Sequence, residues 1–160
     1  MRVLTLIAAG ILWTQTTTTD PPHSFEGRVV KIADGDTITV LLDKTQHKIR
    51  LEGIDAPEKG QAFGTRARQA LAGKIFSKTV RIDWKKRDRY KRIIGRVYLG
   101  DRDISLEMVR DGWAWHYKRF SKEAALADAE QEAREASRGL WAGKDPVPPW
   151  EWRRERKAKR

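Results

Sequence analysis

Asp34-Gly35 separates two runs of strand-forming residues, Phe25 to Ile32 and Thr37 to Leu42. A turn signal flanked in this way specifies an antiparallel hairpin. A third run, His47 to Ile54, follows the turn Lys44-Thr45-Gln46. Its alternation sends Ile49 and Leu51 to one face and Arg50 and Glu52 to the other. Gly53 marks a bend, and Pro57 stops the run from continuing inside a sheet.

Apolar residues then fall at helical spacing through Phe63, Ala67, Ala70, Leu71 and Ile75, which predicts a helix over Gln61 to Ile75. Thr79 to Trp84 and Ile93 to Leu99 read as a fourth and a fifth strand. Ser105 is placed to cap a short helix, Leu106 to Asp111, stopped by Gly112. Ser121 is placed to cap a longer, alanine-faced helix to Ser137, stopped by Gly139. Trp113, Trp115 and Tyr117 alternate as a strand with one packed face would. Beyond Gly139 the chain turns Pro- and Trp-rich and reads as an extended surface segment. Five strands with a helix after the third, then helices, suggest an α+β domain: a small closed barrel with helices against it. With 160 residues and 39% hydrophobic content, the chain can fill one core. The expected division is a leader and polar linker over 1–23, the globular domain over 24–142, and a basic tail over 143–160.

The net charge of +11 favours a polyanionic partner: nucleic acid, an anionic membrane or an acidic glycan. Two runs hold most of it. Lys85 to Arg92 has six basic residues against one acid, and Glu151 to Arg160 has six against two. The first lies between strands and contains Tyr90, which suits a working loop; the second is an ordinary solvated tail on its face. The absence of cysteine excludes disulfides, thiolate zinc and cysteine catalysis. The three histidines, His23, His47 and His116, show no metal-ligand spacing. Met1-Arg2 and the apolar run Val3 to Trp13 fit a secretory signal and are too short to span a bilayer as a helix. Export to the periplasm or outside is therefore expected. Thr14 to Thr19 forms a poor cleavage site, so uncleaved anchoring is the alternative.

Against this basic background, Asp36, Asp55 and Glu58 stand close in sequence to Arg50. Taken singly, Asp34-Gly35-Asp36 is an ordinary turn and Asp55-Ala56-Pro57-Glu58 an ordinary loop before a helix. In order, at the ends of adjacent strands, they make a chemical set. Hard cations take carboxylate and carbonyl oxygens. Asp36, Asp55 and the Ala56 carbonyl can supply these to calcium or magnesium. So few protein charges make a weak site, as suits millimolar extracellular calcium. The pattern is no EF-hand, because Ile38, Val40 and Thr45 stand where oxygen ligands are needed. Glu58 can serve as general base towards a water. The planar forks of Arg50 and Arg92 can hold non-bridging phosphate oxygens. Arg89 and Tyr90 can hold a further phosphate, and Tyr117 or Trp115 can stack on a base.

This joint order resembles the staphylococcal nuclease (thermonuclease) family through Val30–Thr37, Ile49–Glu58, Asp88–Arg92 and Ile104–Gly112. The similarity runs from about Phe25 to Trp141. It implies an OB-fold five-stranded β-barrel with three α-helices, and calcium-dependent hydrolysis of DNA and RNA with little sequence preference. By resemblance, Asp36, Asp55 and Ala56 are the calcium ligands, Ala56 standing where the family often has Thr. Arg50, Glu58 and Arg92 are the catalytic groups. Arg89, in place of Lys, and Tyr90 contact the terminal phosphate, and Tyr117 the nucleotide. Lys91 stands where the family usually has Gly; if that Gly has a positive φ, Lys91 must adopt it. The loop between Glu58 and the helix is shorter than in the archetype. The expected protein is a monomeric, exported, calcium-dependent nuclease acting on DNA and RNA, single- or double-stranded. The alternative is a catalytically silent nucleic-acid-binding OB-fold module, which usually lacks the carboxylates or arginines. A binder of anionic surfaces through the tail would need neither Asp36 nor Glu58.

Overall fold

The computed structural model describes residues 23–159. The signal-like segment and most of the polar linker lie outside the described residues. Strand β1 (His23–Ile32) pairs antiparallel with β2 (Thr37–Leu42), and β2 with β3 (Thr45–Leu51). On its other edge β1 pairs with β5 (Thr79–Arg87), which pairs with β6 (Ile93–Leu99). A parallel pairing of β3 with β6, Ile49 opposite Ile93 and Leu51 opposite Gly95, closes the five strands into a barrel. Closure removes both sheet edges. Register shifts between Val29 and Lys31 and between Trp84 and Lys86 bend two of the strands. Three two-residue strands complete the set: β4 (Ile54–Asp55), β7 (Arg102–Asp103) and β8 (Trp115–His116), with β4 paired to β8.

The expected alternation holds. Val29, Ile38, Val40, Ile49, Leu51, Ile82, Ile93 and Val97 are buried in one core. Leu71 and Ile75 of α1 (Gly64–Ile75), Ile104, Met108 and Val109 of α2 (Ile104–Arg110), and Leu126 and Ala129 of α3 (Ala124–Glu135) close over it. Arg96 of β6 ion-pairs with Asp103 and Glu123, fixing the starts of α2 and α3 to the barrel wall.

Several expectations need correction. The helix after Pro57 starts at Gly64 rather than Gln61, because Phe63 is left-handed at φ 65°. Asp103, not Ser105, caps α2, accepting from Leu106 N at 3.1 Å; Ser105 is inside the helix and buried. Ser121 does not cap α3, which begins at Ala124. Lys85, Lys86 and Arg87 belong to β5, so the basic loop shrinks to Asp88–Arg92. Of the Trp113–Tyr117 stretch, only Trp115 and His116 are strand. The largest departure lies in the tail. A 3-10 turn at Gly139–Ala142 is followed by a fourth helix, α4 (Pro149–Ala158), so three expected helices become four among the described residues. Pro149 at the first helical position and Glu151 in the first turn are ordinary helix-start chemistry. That is the signal the extended reading passed over.

Candidate active site

The β1–β2 turn carries the first carboxylate. Asp36 N donates to Asp34 Oδ1 at 3.1 Å, which fixes the turn. Gly35 is required here for closeness: a Cβ on it would lie 2.8 Å from the Cβ atoms of both Ala56 and Ala67. This contact presses the turn against the Asp55–Glu58 loop and α1. Leu51 N donates to Asp36 O at 2.8 Å, tying the turn to the end of β3. Ala56 N donates to Asp36 Oδ2 at 2.6 Å.

Arg50 joins the two segments. Its Nη2 lies 3.1 Å from Asp36 Oδ2 and 2.9 Å from Asp55 Oδ1, and its Nη1 donates to Leu51 O at 2.8 Å. One nitrogen within hydrogen-bond reach of both carboxylates means that Asp36 and Asp55 converge on a common point. Both are buried. Burial pushes Asp55 up; the Arg153 hydrogen bond opposes this, as does Arg50, while the Asp36 charge adds to it. Burial, then the neighbouring Asp36, push the Asp34 carboxyl up to about 7.

Arg92 reaches towards the same place from the turn that precedes β6. The Asp88–Arg92 turn folds around Asp88, whose Oδ1 accepts from Tyr90 N and Arg92 N at 2.9 and 3.0 Å, and whose Oδ2 accepts from Arg92 Nε at 2.7 Å. So held, Arg92 Nη1 lies 3.5 Å from Thr37 Oγ1, which itself donates to Asp36 Oδ1 at 3.0 Å. Lys91 has φ 62°, the conformation anticipated for a glycine there. Tyr90 is exposed; Arg89 Nη2 donates to its hydroxyl at 2.7 Å, and the Arg92 guanidinium lies 5.6 Å from its ring centre.

Glu58 is held through its backbone. Its N donates to Gln61 Oε1 at 3.0 Å and its O accepts from Gln61 N at 2.9 Å. Gly64 packs so closely that a Cβ there would lie 2.1 Å from Glu58 O. The Glu58 side chain meets a residue that sequence reasoning missed, Arg153 of α4. Arg153 Nη1 donates to Glu58 Oε1 at 2.6 Å and to Asp55 Oδ1 at 3.2 Å, and Nη2 donates to Asp55 Oδ2 at 2.7 Å. Burial works against the Arg153 charge, but the two carboxylates more than offset it, and its pKa is raised.

Tyr117 is fixed by its N–H donating to Gly53 O at 2.8 Å. It stands beside a cleft of about 490 Å³ that Trp115, Lys118, Arg134, Pro148 and Trp150 also line. The Trp150 ring stacks on it, centres 5.5 Å apart and planes at 4°. Asp36, Arg50, Asp55, Ala56, Glu58 and Arg92 thus gather at one mouth of the barrel. Arg89 and Tyr90 lie on the adjoining turn, and Tyr117 follows β8, the partner of the strand that carries Asp55.

The donor set is hard and anionic. Among the described residues no group of three or more His, Cys, Asp or Glu is disposed to hold a metal ion. The two converging carboxylates, Asp36 and Asp55, fit only a cation that takes its remaining ligands from water or other oxygens, as calcium and magnesium do.

The profile of the family described as "Staphylococcal nuclease homologue" matches residues 48–143. Protein ParB of Escherichia coli is 49% identical over 141 residues, covering 81% of this chain and 79% of that protein. An uncharacterized endonuclease of Haemophilus influenzae is 44% identical over 131 residues, covering 81% and 74%. A micrococcal nuclease of Shigella flexneri is 44% identical over 144 residues, covering 83% of each chain. With a barrel closed by β3 and β6 and a profile match over most of its length, the chain belongs to the staphylococcal nuclease family.

Proposed function

We propose that this protein is a nuclease that uses a divalent cation, calcium in the first instance, to hydrolyse phosphodiester bonds of DNA and RNA with little sequence preference. The convergence of Asp36 and Asp55 on one Arg50 nitrogen carries this reading. Asp36, Asp55 and the Ala56 carbonyl would hold the ion. Once bound, it would polarise the phosphate and acidify a neighbouring water. Glu58 Oε takes the proton from the attacking water. Arg50 and Arg92 hold the non-bridging oxygens and counter the charge that grows on them. Arg89 and Tyr90 hold a flanking phosphate, and Tyr117 stacks on a base. Names of relatives such as micrococcal nuclease support the substrate class. Export through residues 1–23 and action as a monomer belong to the same proposal. Among the described residues no helix is long and apolar enough to cross a membrane.

The test is direct. Purified protein is incubated with plasmid DNA and with RNA in millimolar calcium, with magnesium in place of calcium, and with chelator. Cleavage of both substrates in calcium, abolished by chelator, is the expected result. Tight binding without cleavage in either metal would overturn the nuclease reading in favour of a silent binding module.

A further inference from the structure

α4 lies beyond the residues matched by the family profile, yet it covers the centre just described. Resting on that reading of the centre, we propose that α4 is a built-in stopper: Arg153 takes the Asp55 oxygens that the divalent cation needs and the Glu58 oxygen that the attacking water needs, and Trp150 takes the place of a nucleobase on Tyr117.

The Arg153 contacts leave no room for both occupants. Its guanidinium bonds both oxygens of Asp55 and one oxygen of Glu58, while Arg50 also bonds Asp55 Oδ1. An ion ligated through Asp55, and a water deprotonated by Glu58, need those same oxygens. The guanidinium is a good surrogate because its planar fork matches a carboxylate with two hydrogen bonds and brings the positive charge the cluster requires. The Trp150 ring lies nearly parallel to Tyr117, which is how a base would stack. Two contacts on one helix, spaced three residues apart, thus occupy the Asp55 share of the cation site and the base place together.

The docking is also built to release. Pro149 is the only buried residue of α4; Trp150 and Arg153 are partly exposed, and Arg154 to Lys159 face solvent. The leading segment is pinned by Gln61 Nε2 donating to Val147 O at 2.7 Å, so α4 can lift away from a fixed base. Lys59, Arg156 and Lys157 line a cleft of about 370 Å³ beside Glu58 and Arg153. An incoming polyanion therefore meets cations on the stopper before it meets the carboxylates. Phosphate oxygens compete for Arg153 as the metal ion competes for Asp55. Ligands that bind only the open arrangement draw the equilibrium towards it.

The experiment is a calorimetric titration of full-length protein with calcium chloride. Circular dichroism melts confirm that each variant folds. Arg153→Ala is expected to bind calcium at least about tenfold more tightly than wild type, because the fraction held closed lowers apparent affinity in proportion. Trp150→Ala touches no carboxylate but removes the second anchor, and is expected to tighten calcium binding about threefold by the same arithmetic. Arg154→Ala removes an equal charge from an exposed position of the same helix that lines neither cleft, and is expected to match wild type. Wild-type affinity in Arg153→Ala overturns the stopper while leaving the metal site intact. An Arg154→Ala gain as large as that of Arg153→Ala overturns it too, by reducing the effect to long-range charge. So does an unchanged, folded Trp150→Ala. If Trp150→Ala does not fold, the two arginine variants decide alone. Failure of wild type and all variants to bind calcium overturns both the stopper and the metal reading of the centre.

Discussion

Asp88 accepts two hydrogen bonds from Arg92, one from its backbone N–H at 3.0 Å and one from Nε at 2.7 Å. The carboxylate therefore sets both the turn and the direction of the guanidinium, leaving Nη1 to reach Thr37 Oγ1 at 3.5 Å. Although burial alone would raise it, the Arg92 hydrogen bonds hold the Asp88 carboxyl below the usual range. Asp88 is a positioning residue. Asp88→Ala should lower the rate of cleavage about tenfold, whereas Arg92→Ala, which removes the proposed phosphate clamp itself, should lower it by about 10² to 10³. Arg92→Lys should not restore the rate, since a lysine offers no planar fork. Initial rates on one DNA substrate at saturating calcium check all three, and an Asp88→Ala rate equal to wild type would remove Asp88 from the machinery.

Lys91 occupies a left-handed conformation, φ 62°, in the same turn. A side chain there costs about 1 to 2 kcal/mol that glycine does not pay. Glycine returns part of that gain through the greater freedom of the unfolded chain. Lys91→Gly should therefore stabilise the protein by about 0.5 to 1 kcal/mol, raising Tm by about 1 to 4 °C for a domain of this size. Arg87 Nη1 bonds Lys91 O at 3.0 Å, a contact that needs only the backbone and so survives the substitution. A thermal melt of the two proteins is the measurement; a lower Tm for the glycine variant would mean that the Lys91 side chain contributes more than its conformation costs.

The proposed proton acceptor is the Glu58 side chain, whereas the fold of its loop is fixed by the Glu58 backbone and Gln61. Glu58→Gln keeps the shape and removes the basic oxygen. Its cleavage rate should fall by about 10² to 10⁴ with nucleic-acid affinity retained. Gly64→Ala acts on the same group from behind. Its Cβ collides with Glu58 O, so the loop must shift, and a rate loss should accompany a fall in Tm. Single-turnover cleavage alongside a binding titration separates the two effects. Full activity in Glu58→Gln would assign the proton transfer elsewhere.

The part of this centre that was legible in the sequence is the part set by local rules. Asp36, Arg50 and Asp55 follow from a hairpin and a strand end, where alternation dictates which side chains share a face. The barrel strands were legible for the same reason, through Ile38, Val40, Ile49 and Leu51. Helix starts were less so: Asp103 and Ser105 both look like caps, and only the register of α2 decides between them. Lys85 to Arg87 look like loop by their charge, yet they continue β5, whose pairing with β6 the local charge does not reveal. Arg153 was not legible as a site residue, since it meets Asp55 across 98 positions and no local period links them. Its helix was recoverable from Pro149 and Glu151, but where that helix docks depends on the assembled barrel.

A second ion-pair cluster, built from α1, β7 and α2, is expected to add stability that is lost in acid. Glu107 accepts from Arg102 Nε and Nη2, each at 2.6 Å, and from Lys74 Nζ at 3.0 Å, joining α2 to β7 and α1. The Arg102 hydrogen bonds, with Lys74 helping against burial, hold the Glu107 carboxyl down to about 2 from its ordinary 4.5. Its folded pKa lies below its unfolded one, so its contribution is fully present above about 4.5 and is lost as pH falls through about 2. Glu107→Gln cannot ionise and lacks this term at every pH. The Tm of wild type should exceed that of Glu107→Gln by a constant margin above pH 5, and the margin should shrink steadily as pH is lowered from about 4.5 towards 2. Melts of both proteins across that range read it directly. A gap that stays constant down to pH 2 would show that Glu107 stabilises the fold through shape alone, without its charge.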